Sequence, residues 1–171
     1  MLEKDIENLV ASYPSEFFPN ENLKLLGQQV NLGGRYADVM FKDRHGRTII
    51  VEVKRGILTR EASGQITEYY GLLKQKNPTE IIELVLCANI IPPERKVFLE
   101  TIGIECKELG IALILNIANK YNYKFLDAVQ DKVEPIKPQQ SLNISEDSNV
   151  WIFQAKPSIY DILNALSDPK L

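Results

Sequence analysis

Residues 37–55, which read ADVMFKDRHGRTIIVEVKR, contain the strand and turn signals from which the fold can be predicted. Two apolar runs flank the turn-forming segment Asp43-Arg44-His45-Gly46. We therefore predict two strands, residues 37–43 and 47–55, joined as an antiparallel hairpin. A turn centred near residue 45 places Asp38 directly opposite Glu52 on the neighbouring strand.

The elements around the hairpin follow from the spacing of apolar residues and from the prolines and glycines. The predicted helices are residues 2–13, 59–76 and 93–109, and the remaining predicted strands are residues 23–32, a segment within 80–91, and 111–117. The last two strands are apolar on both faces, as strands inside a parallel sheet are. The order α-β-β-β-α-β-α-β predicts an α/β fold, a mixed sheet flanked by helices.

Charged side chains mark one face of the predicted hairpin. Strand alternation puts Glu52 and Lys54 on one face and the intervening valines on the other. Asp38 opposite Glu52 is a like-charge pair, which destabilises a ladder. A divalent cation would remove this conflict, because Mg²⁺ takes carboxylate oxygens together with water and phosphate oxygens. The alternative is a solvated strand face with no chemistry.

The arrangement resembles a known family. Asp38, followed after a glycine-containing hairpin by Glu52-Val53-Lys54, resembles the core motif of the PD-(D/E)XK nucleases, whose restriction-endonuclease-like fold has the element order predicted above. The NucS-like branch is the closer resemblance over residues 1–117. The segments that carry it are the acidic helix Glu3-Lys4-Asp5-Ile6-Glu7, Gly33-Gly34-Arg35, the strand from Val51 to Arg55, and Gln65 with Tyr69. Tyr36 and Ala37 precede Asp38, so the proline of the superfamily name is missing.

This resemblance implies a metal-dependent DNA endonuclease of restriction or DNA repair, with Mg²⁺ or Mn²⁺ as cofactor and DNA as partner. It implies that Asp38 and Glu52 bind the metal with help from the Val53 carbonyl. Lys54 would act on the attacking water or the scissile phosphate. Glu7 would approach the metal through water, and Glu3 competes for that role; an ordinary surface glutamate is the alternative for Glu7.

The same resemblance implies roles for residues around this centre. Gln65 would position Lys54 or phosphate, and Tyr69 would support it and lie along the DNA. Arg35 and Arg55 would contact the DNA backbone. The alternatives are an interfacial polar residue and aromatic ring for the first two residues, and solvated cations for the arginines.

The charge distribution provides independent support. The chain of 171 residues has a net charge of −3, which argues against a polybasic protein that coats nucleic acid. Residues 35–60 nevertheless contain seven basic and three acidic side chains, a net charge of +4. Arg44 and Arg47 lie in this segment and are further candidate DNA contacts. A solvated hairpin would explain the composition but not its coincidence with the Asp/Glu/Lys face.

Other features narrow the class of protein. No stretch is long and apolar enough for a membrane helix, and the N-terminus has no secretory signal. We expect Cys87, in an apolar run, and Cys106, in a predicted helix, to be reduced packing residues of a cytoplasmic protein. His45 is the single histidine, which argues against zinc sites built from Cys and His.

The chain changes character after the predicted core. Residues 118–149 are expected to form an extension and a polar, proline-containing linker. Residues 150–171 resemble the first strand and helix of EVE (PUA-like) domains, which are associated with reading modified bases. This tail is too short to bury a core of its own, so we expect either a truncated domain or an appendage of the core.

Two other functions compete with an endonuclease. One is a catalytically inactive nuclease fold that binds DNA or a partner protein, and the other is a partner-interaction protein without a role in nucleic acid. The intact Asp38, Glu52 and Lys54 set argues against the first, and the second would require the +4 charge of residues 35–60 to be incidental. A homodimer would let two sites cut two strands.

Overall fold

The structure is a computed structural model that describes residues 1–130. The elements, in chain order, are α1 (Glu3–Ser12), α2 (Pro14–Phe17), β1 (Lys24–Leu32), β2 (Arg35–Lys42), β3 (Thr48–Ile57), α3 (Arg60–Lys76), β4 (Ile82–Ile90), α4 (Pro93–Thr101), β5 (Ile104–Glu108), α5 (Ile111–Lys120) and α6 (Leu126–Gln130). The predicted tail, residues 150–171, and the linker beyond residue 130 lie outside the described residues.

A five-stranded mixed sheet confirms the predicted fold class. The strand order is β1-β2-β3-β4-β5, with antiparallel pairing from β1 to β3 and parallel pairing from β3 to β5. Val39 pairs with Val51 and Lys42 with Thr48, the register that the turn at residue 45 predicts. Continued by one residue, this register brings Asp38 opposite Glu52.

Each face of the sheet is covered by helices and forms its own apolar cluster. Val51 and Val53 pack in one cluster with Leu9 of α1 and Ile114 of α5. Ile50, on the opposite face, packs in the other cluster with α3 residues that include Ile66 and Tyr69. The alternation along β3 is therefore the predicted one, with Glu52 and Lys54 on the side of Ile50.

The prediction for residues 93–117 was wrong in two places. Helix α4 ends at Thr101, Gly103 follows with φ +84°, and residues 104–108, predicted as helix, form the edge strand β5. Cys106 therefore lies in a strand. Residues 111–117, predicted as a strand, belong to helix α5, which continues past the predicted boundary at 117. A run that is apolar at nearly every position has no period that separates a helix from a strand.

One short helix was not predicted from the sequence. The segment after α1, predicted as a loop, contains the short helix α2, which begins at Pro14 because proline suits a first helical turn.

Both cysteines are free and buried. Among residues 1–130, no helix combines the length and apolar character needed to cross a membrane.

Asp5 ties α1 to the segment after α5. Its carboxylate is fully buried. Oδ2 accepts a hydrogen bond from the Leu2 N–H at 2.6 Å and thereby caps the helix. Oδ1 accepts from the Tyr123 hydroxyl at 3.1 Å and from the Leu126 N–H at 2.9 Å. The start of α1 is therefore held by residues that follow the predicted core.

The helical assignment of residues 111–120 can be tested by comparing neighbouring positions. Ile114 is fully buried, whereas Leu113 and Leu115 are about 40% exposed (39% and 42%). We expect Ile114→Ala to lower the free energy of unfolding by about 2–5 kcal/mol, and Leu113→Ala and Leu115→Ala by less than about 1 kcal/mol. Urea denaturation measures all three. A strand that is buried on both faces would instead give all three substitutions a similar cost. Equal losses of unfolding free energy at positions 113, 114 and 115 would therefore contradict the helix.

Candidate active site

The site lies where β2 and β3 separate. The paired ladder of the two strands ends at Val39 and Val51. Amides alternate in direction along a strand, so the next β3 amide facing β2 belongs to Val53. Its N–H donates to Asp38 Oδ2 at 2.8 Å instead of to a backbone carbonyl. The Asp38 carboxylate, 7% exposed, thus occupies the opening of the hairpin, and the Val53 carbonyl faces the same opening.

Glu52 is a fully buried carboxylate with one unused oxygen. Oε1 accepts a hydrogen bond from Lys54 Nζ at 2.7 Å. Oε2 is buried and has no hydrogen-bond partner. Buried carboxylate oxygens normally have donors, because leaving one without a partner is costly. Because Asp38 also acts on this carboxyl group, a shared proton or a cation would relieve the unpartnered oxygen.

Burial and mutual repulsion shift the titration of this pair. Burial raises the pKa of Glu52 to about 8, and the negative charge of Asp38 adds to the shift. Burial also raises the pKa of Asp38, although the hydrogen bond from the Val53 N–H acts in the opposite direction and lowers it. Burial alone would lower the pKa of Lys54, but its hydrogen bond to Glu52 and the negative charges of the surrounding carboxylates together outweigh burial, and the pKa rises. Lys54 is therefore a cation at neutral pH and can donate to a water or a phosphate oxygen.

The two helix carboxylates that competed in the sequence have different environments. Glu7 is 5% exposed, and its Oε2 accepts from Lys4 Nζ at 2.6 Å and from Gln29 Nε2 at 2.9 Å. The side chain of Glu3 is 40% exposed. Its Oε2 accepts from the Arg55 N–H at 2.7 Å, and its Oε1 lies 3.7 Å from Lys54 Nζ. Glu7 is thus the buried member and Glu3 the one nearer Lys54.

Gln29 was missed by the sequence analysis. Its Nε2 also donates to Asp38 Oδ1 at 2.9 Å, so one amide joins Glu7 to Asp38. Gln29 is exposed and lies in β1, where a polar side chain is ordinary. Nothing in the local pattern distinguishes it from its neighbour Gln28.

Gln65 and Tyr69 contact each other rather than Lys54. Gln65 Nε2 donates to the Tyr69 hydroxyl at 2.6 Å, and this hydroxyl donates to the Tyr36 carbonyl at 2.7 Å. The chain anchors α3 to β2 two residues before Asp38. Tyr69 is 1% exposed, which leaves its ring no surface for the DNA contact that the sequence predicted. Gln65 forms no hydrogen bond to Lys54 among the described residues, and its predicted role toward Lys54 or phosphate stays a prediction.

The four candidate arginines fall at two ends of the hairpin. Arg55 follows Lys54 and is exposed, and Arg35 is exposed and pairs with Glu68 at 3.2 Å. Arg44 and Arg47 lie at the turn, about five residues or roughly 17 Å along the strands from Asp38. The Arg47 guanidinium is already bonded to Asp43, at 2.7 Å, and to Glu83. Arg35 and Arg55 thus lie about three residues along their strands from Asp38 and Glu52, and the other two arginines lie farther along the hairpin.

The donor set suits a metal ion that keeps open positions. Among residues 1–130, no group of three or more His, Cys, Asp or Glu side chains is arranged to hold a metal. Asp38, Glu52 and the Val53 carbonyl provide two carboxylates and one backbone oxygen. Mg²⁺ usually takes one or two carboxylates and completes its shell with water and substrate phosphate. The unused Glu52 oxygen fits this kind of site.

Comparisons with known proteins identify the family of the fold. Residues 2–124 match the family model described as the endonuclease NucS C-terminal domain. The chain is 26% identical over 107 residues to endonuclease NucS of Methanopyrus kandleri, covering 63% of this chain and 40% of that protein.

Two solved structures share the fold. A repair endonuclease from Pyrococcus abyssi has a TM-score of 0.57 and 25% identity, over 64% of this chain and 47% of its own. An EndoMS–dsDNA complex has a TM-score of 0.55 and 22% identity, over 64% of this chain and 46% of its own. This chain therefore spans less than half the length of the relatives that it matches.

The raised pKa of Glu52 makes stability depend on pH. In the folded state Glu52 keeps its proton up to a pH of about 8, whereas the ordinary value is 4.5. Raising the pH between these values therefore destabilises the folded metal-free protein. We expect Glu52→Gln to be more stable than the parent by about 1–3 kcal/mol at pH 8.5 in EDTA, with the advantage gone below pH 4.5.

Thermal denaturation across this pH range measures the effect. Glu100→Gln, at an exposed position of α4, is the matched control and should show no such pH-dependent gain. An advantage of Glu52→Gln that is the same at pH 4 and pH 8.5 would contradict the assigned shift.

Proposed function

The chain belongs to the family of endonuclease NucS C-terminal domains, and from this premise we propose that it is the nuclease domain of a metal-dependent DNA endonuclease. The observation that carries the proposal is the Asp38, Glu52 and Lys54 group at the hairpin opening, with an unused buried oxygen on Glu52. The relatives are named as endonucleases, one of them a repair endonuclease, which supports hydrolysis of DNA phosphodiesters in repair.

In the proposed site, Asp38, Glu52 and the Val53 carbonyl would hold Mg²⁺ or Mn²⁺. Such an ion would supply an acidified water and polarise the phosphate. The hydrogen bond from the Val53 N–H fixes one oxygen of Asp38 and leaves the carboxylate aimed into the opening. The hydrogen bond from Lys54 does the same for Glu52. Both carboxylates are thus oriented before a substrate arrives, which is the preorganisation that catalysis needs.

Lys54 has two tasks in this proposal. Its Nζ holds Glu52 Oε1 and, as a protonated amine, can donate to a phosphate oxygen on which charge develops. In the metal-free protein, the hydrogen bond to Glu52 and the neighbouring carboxylates favour the protonated amine. Glu7, joined to Asp38 through Gln29, is placed to accept a hydrogen bond from a water near the carboxylates.

DNA as the substrate is supported by charge and by the structural neighbours. Residues 35–60 form the basic segment of an otherwise acidic chain. Arg35 and Arg55 are the exposed cations of this segment near the carboxylates. EndoMS, which shares the fold, is solved with dsDNA. We propose that these two arginines contact backbone phosphates on either side of the site.

We expect this chain to cleave at least one of supercoiled, branched or mismatched DNA when Mg²⁺ or Mn²⁺ is present. Asp38→Ala, Glu52→Gln and Lys54→Ala should each lower the rate by about 100-fold or more, because each removes a preorganised group of the site. Gel electrophoresis of the products measures the rates, with Glu100→Gln as the variant that should match the parent.

The same assay distinguishes an endonuclease from an inactive DNA-binding module. An inactive module would bind DNA with a steep salt dependence and cut none of the three substrates with either metal. Cleavage that persists unchanged in Asp38→Ala or Glu52→Gln would remove the assigned site altogether.

The arginines can be ranked by the salt dependence of DNA binding, measured in the Glu52→Gln background so that DNA stays uncut. Arg35→Ala and Arg55→Ala should each reduce the slope of log K against log salt by about 1. Arg47→Ala should change it less, because Asp43 and Glu83 already bind that guanidinium. If Arg47→Ala reduced this slope more than Arg55→Ala did, the DNA would instead lie along the hairpin turn.

A further inference from the structure

Gln29 has a backbone conformation that its residue type does not favour. Its φ is +48°, in the left-handed region. The other non-glycine residues with positive φ among residues 1–130 are Asn20, Asn22 and Asn122. Asparagine tolerates this region, whereas for most other residues it costs roughly 1–2 kcal/mol. Gln29 is thus the strained exception.

The strain coincides with a local irregularity of β1. Gln28 pairs with Val39 and Val30 with Ala37, so Gln29 lies opposite Asp38 without forming a regular pair. Residues that keep a strained conformation do so because their surroundings impose it, and such residues cluster at functional sites. Here the strained residue is the one whose side chain enters the site.

The side-chain amide of Gln29 lies between two carboxylates. Nε2 is 2.9 Å from Glu7 Oε2 and 2.9 Å from Asp38 Oδ1. Both carboxylates are buried and negative, so they repel each other. An amide nitrogen has two N–H groups and adds no charge, so it can satisfy both oxygens at once. The Val53 N–H already holds the other Asp38 oxygen, so Gln29 completes the fixing of that carboxylate.

The geometry points to Gln29 as a positioning residue that holds Glu7 of α1 and Asp38 of β2 in one arrangement for metal binding. It acts through these carboxylates rather than by contacting the substrate. The inference rests on the proposed function and adds to it a residue from β1, the strand at the edge of the sheet. Partners that orient metal ligands typically contribute 10–100-fold to metal affinity or activity.

Two glycine substitutions test this role. Gln29→Gly and Asn22→Gly both replace a residue at positive φ by the residue that adopts it freely, so both should fold. Isothermal titration with Mn²⁺, without DNA, should give about 10-fold weaker binding for Gln29→Gly and unchanged binding for Asn22→Gly. Gln29→Asn, which also suits the conformation but is one carbon too short to bridge, should resemble Gln29→Gly.

Cleavage kinetics add a second measurement. For Gln29→Gly the activity should recover partly as Mn²⁺ is raised, with the KM for DNA unchanged. If Gln29 were needed only for its backbone conformation, Gln29→Gly would bind Mn²⁺ as tightly as the parent. Mn²⁺ affinity within twofold of the parent in Gln29→Gly would therefore overturn the inference. A parent chain that binds Mn²⁺ but leaves DNA uncut overturns only the endonuclease, and one that binds no Mn²⁺ overturns both proposals.

Discussion

The repulsion between Asp38 and Glu52 is the constraint on which the site depends. Two carboxylates, 7% and 0% exposed, are placed opposite each other on neighbouring strands, an arrangement that a sheet ordinarily avoids. The strands separate at this point, and the first amide beyond the paired ladder binds a side chain instead of a backbone carbonyl. The cost of this arrangement is met by the packed apolar faces on both sides of β3.

The elements around the pair each restrain one part of it. Helix α3, through Tyr69, holds the backbone of β2 just before Asp38. Helix α1 brings Glu7 and Glu3 to the same opening. The edge strand β1 contributes one strained residue. Three elements therefore converge on a single hairpin end, and the geometry of the site is a property of the whole sheet rather than of its motif alone.

The hairpin and its register could be predicted from the sequence because turn residues and strand alternation determine both locally. The elements after residue 93 could not, because an isoleucine- and leucine-rich run such as residues 111–117 fits a strand as well as a buried helix. Whether it pairs with a strand edge or packs on a sheet face is decided by distant parts of the chain.

The site shows the same division. Asp38, Glu52 and Lys54 were predictable from spacing, and the helical spacing of Gln65 and Tyr69 was also correct. Their contact with the Tyr36 carbonyl was not, because it depends on how α3 packs on β2. Gln29 gave no signal at all, because its role arises from a backbone conformation that composition does not encode.

The buried carboxylate of Asp5 connects the first helix of the domain to the residues that follow α5. It fastens the first turn of α1 to Tyr123 and Leu126, so the helix that carries Glu7 depends on residues translated more than a hundred positions later. The family match ends close to this point, at residue 124. Any shortened form of this unit must therefore keep Tyr123 and Leu126 together with α1. A chain cut after residue 117 would keep every residue of the motif. It would lose the hydrogen bonds that hold α1 beside the motif.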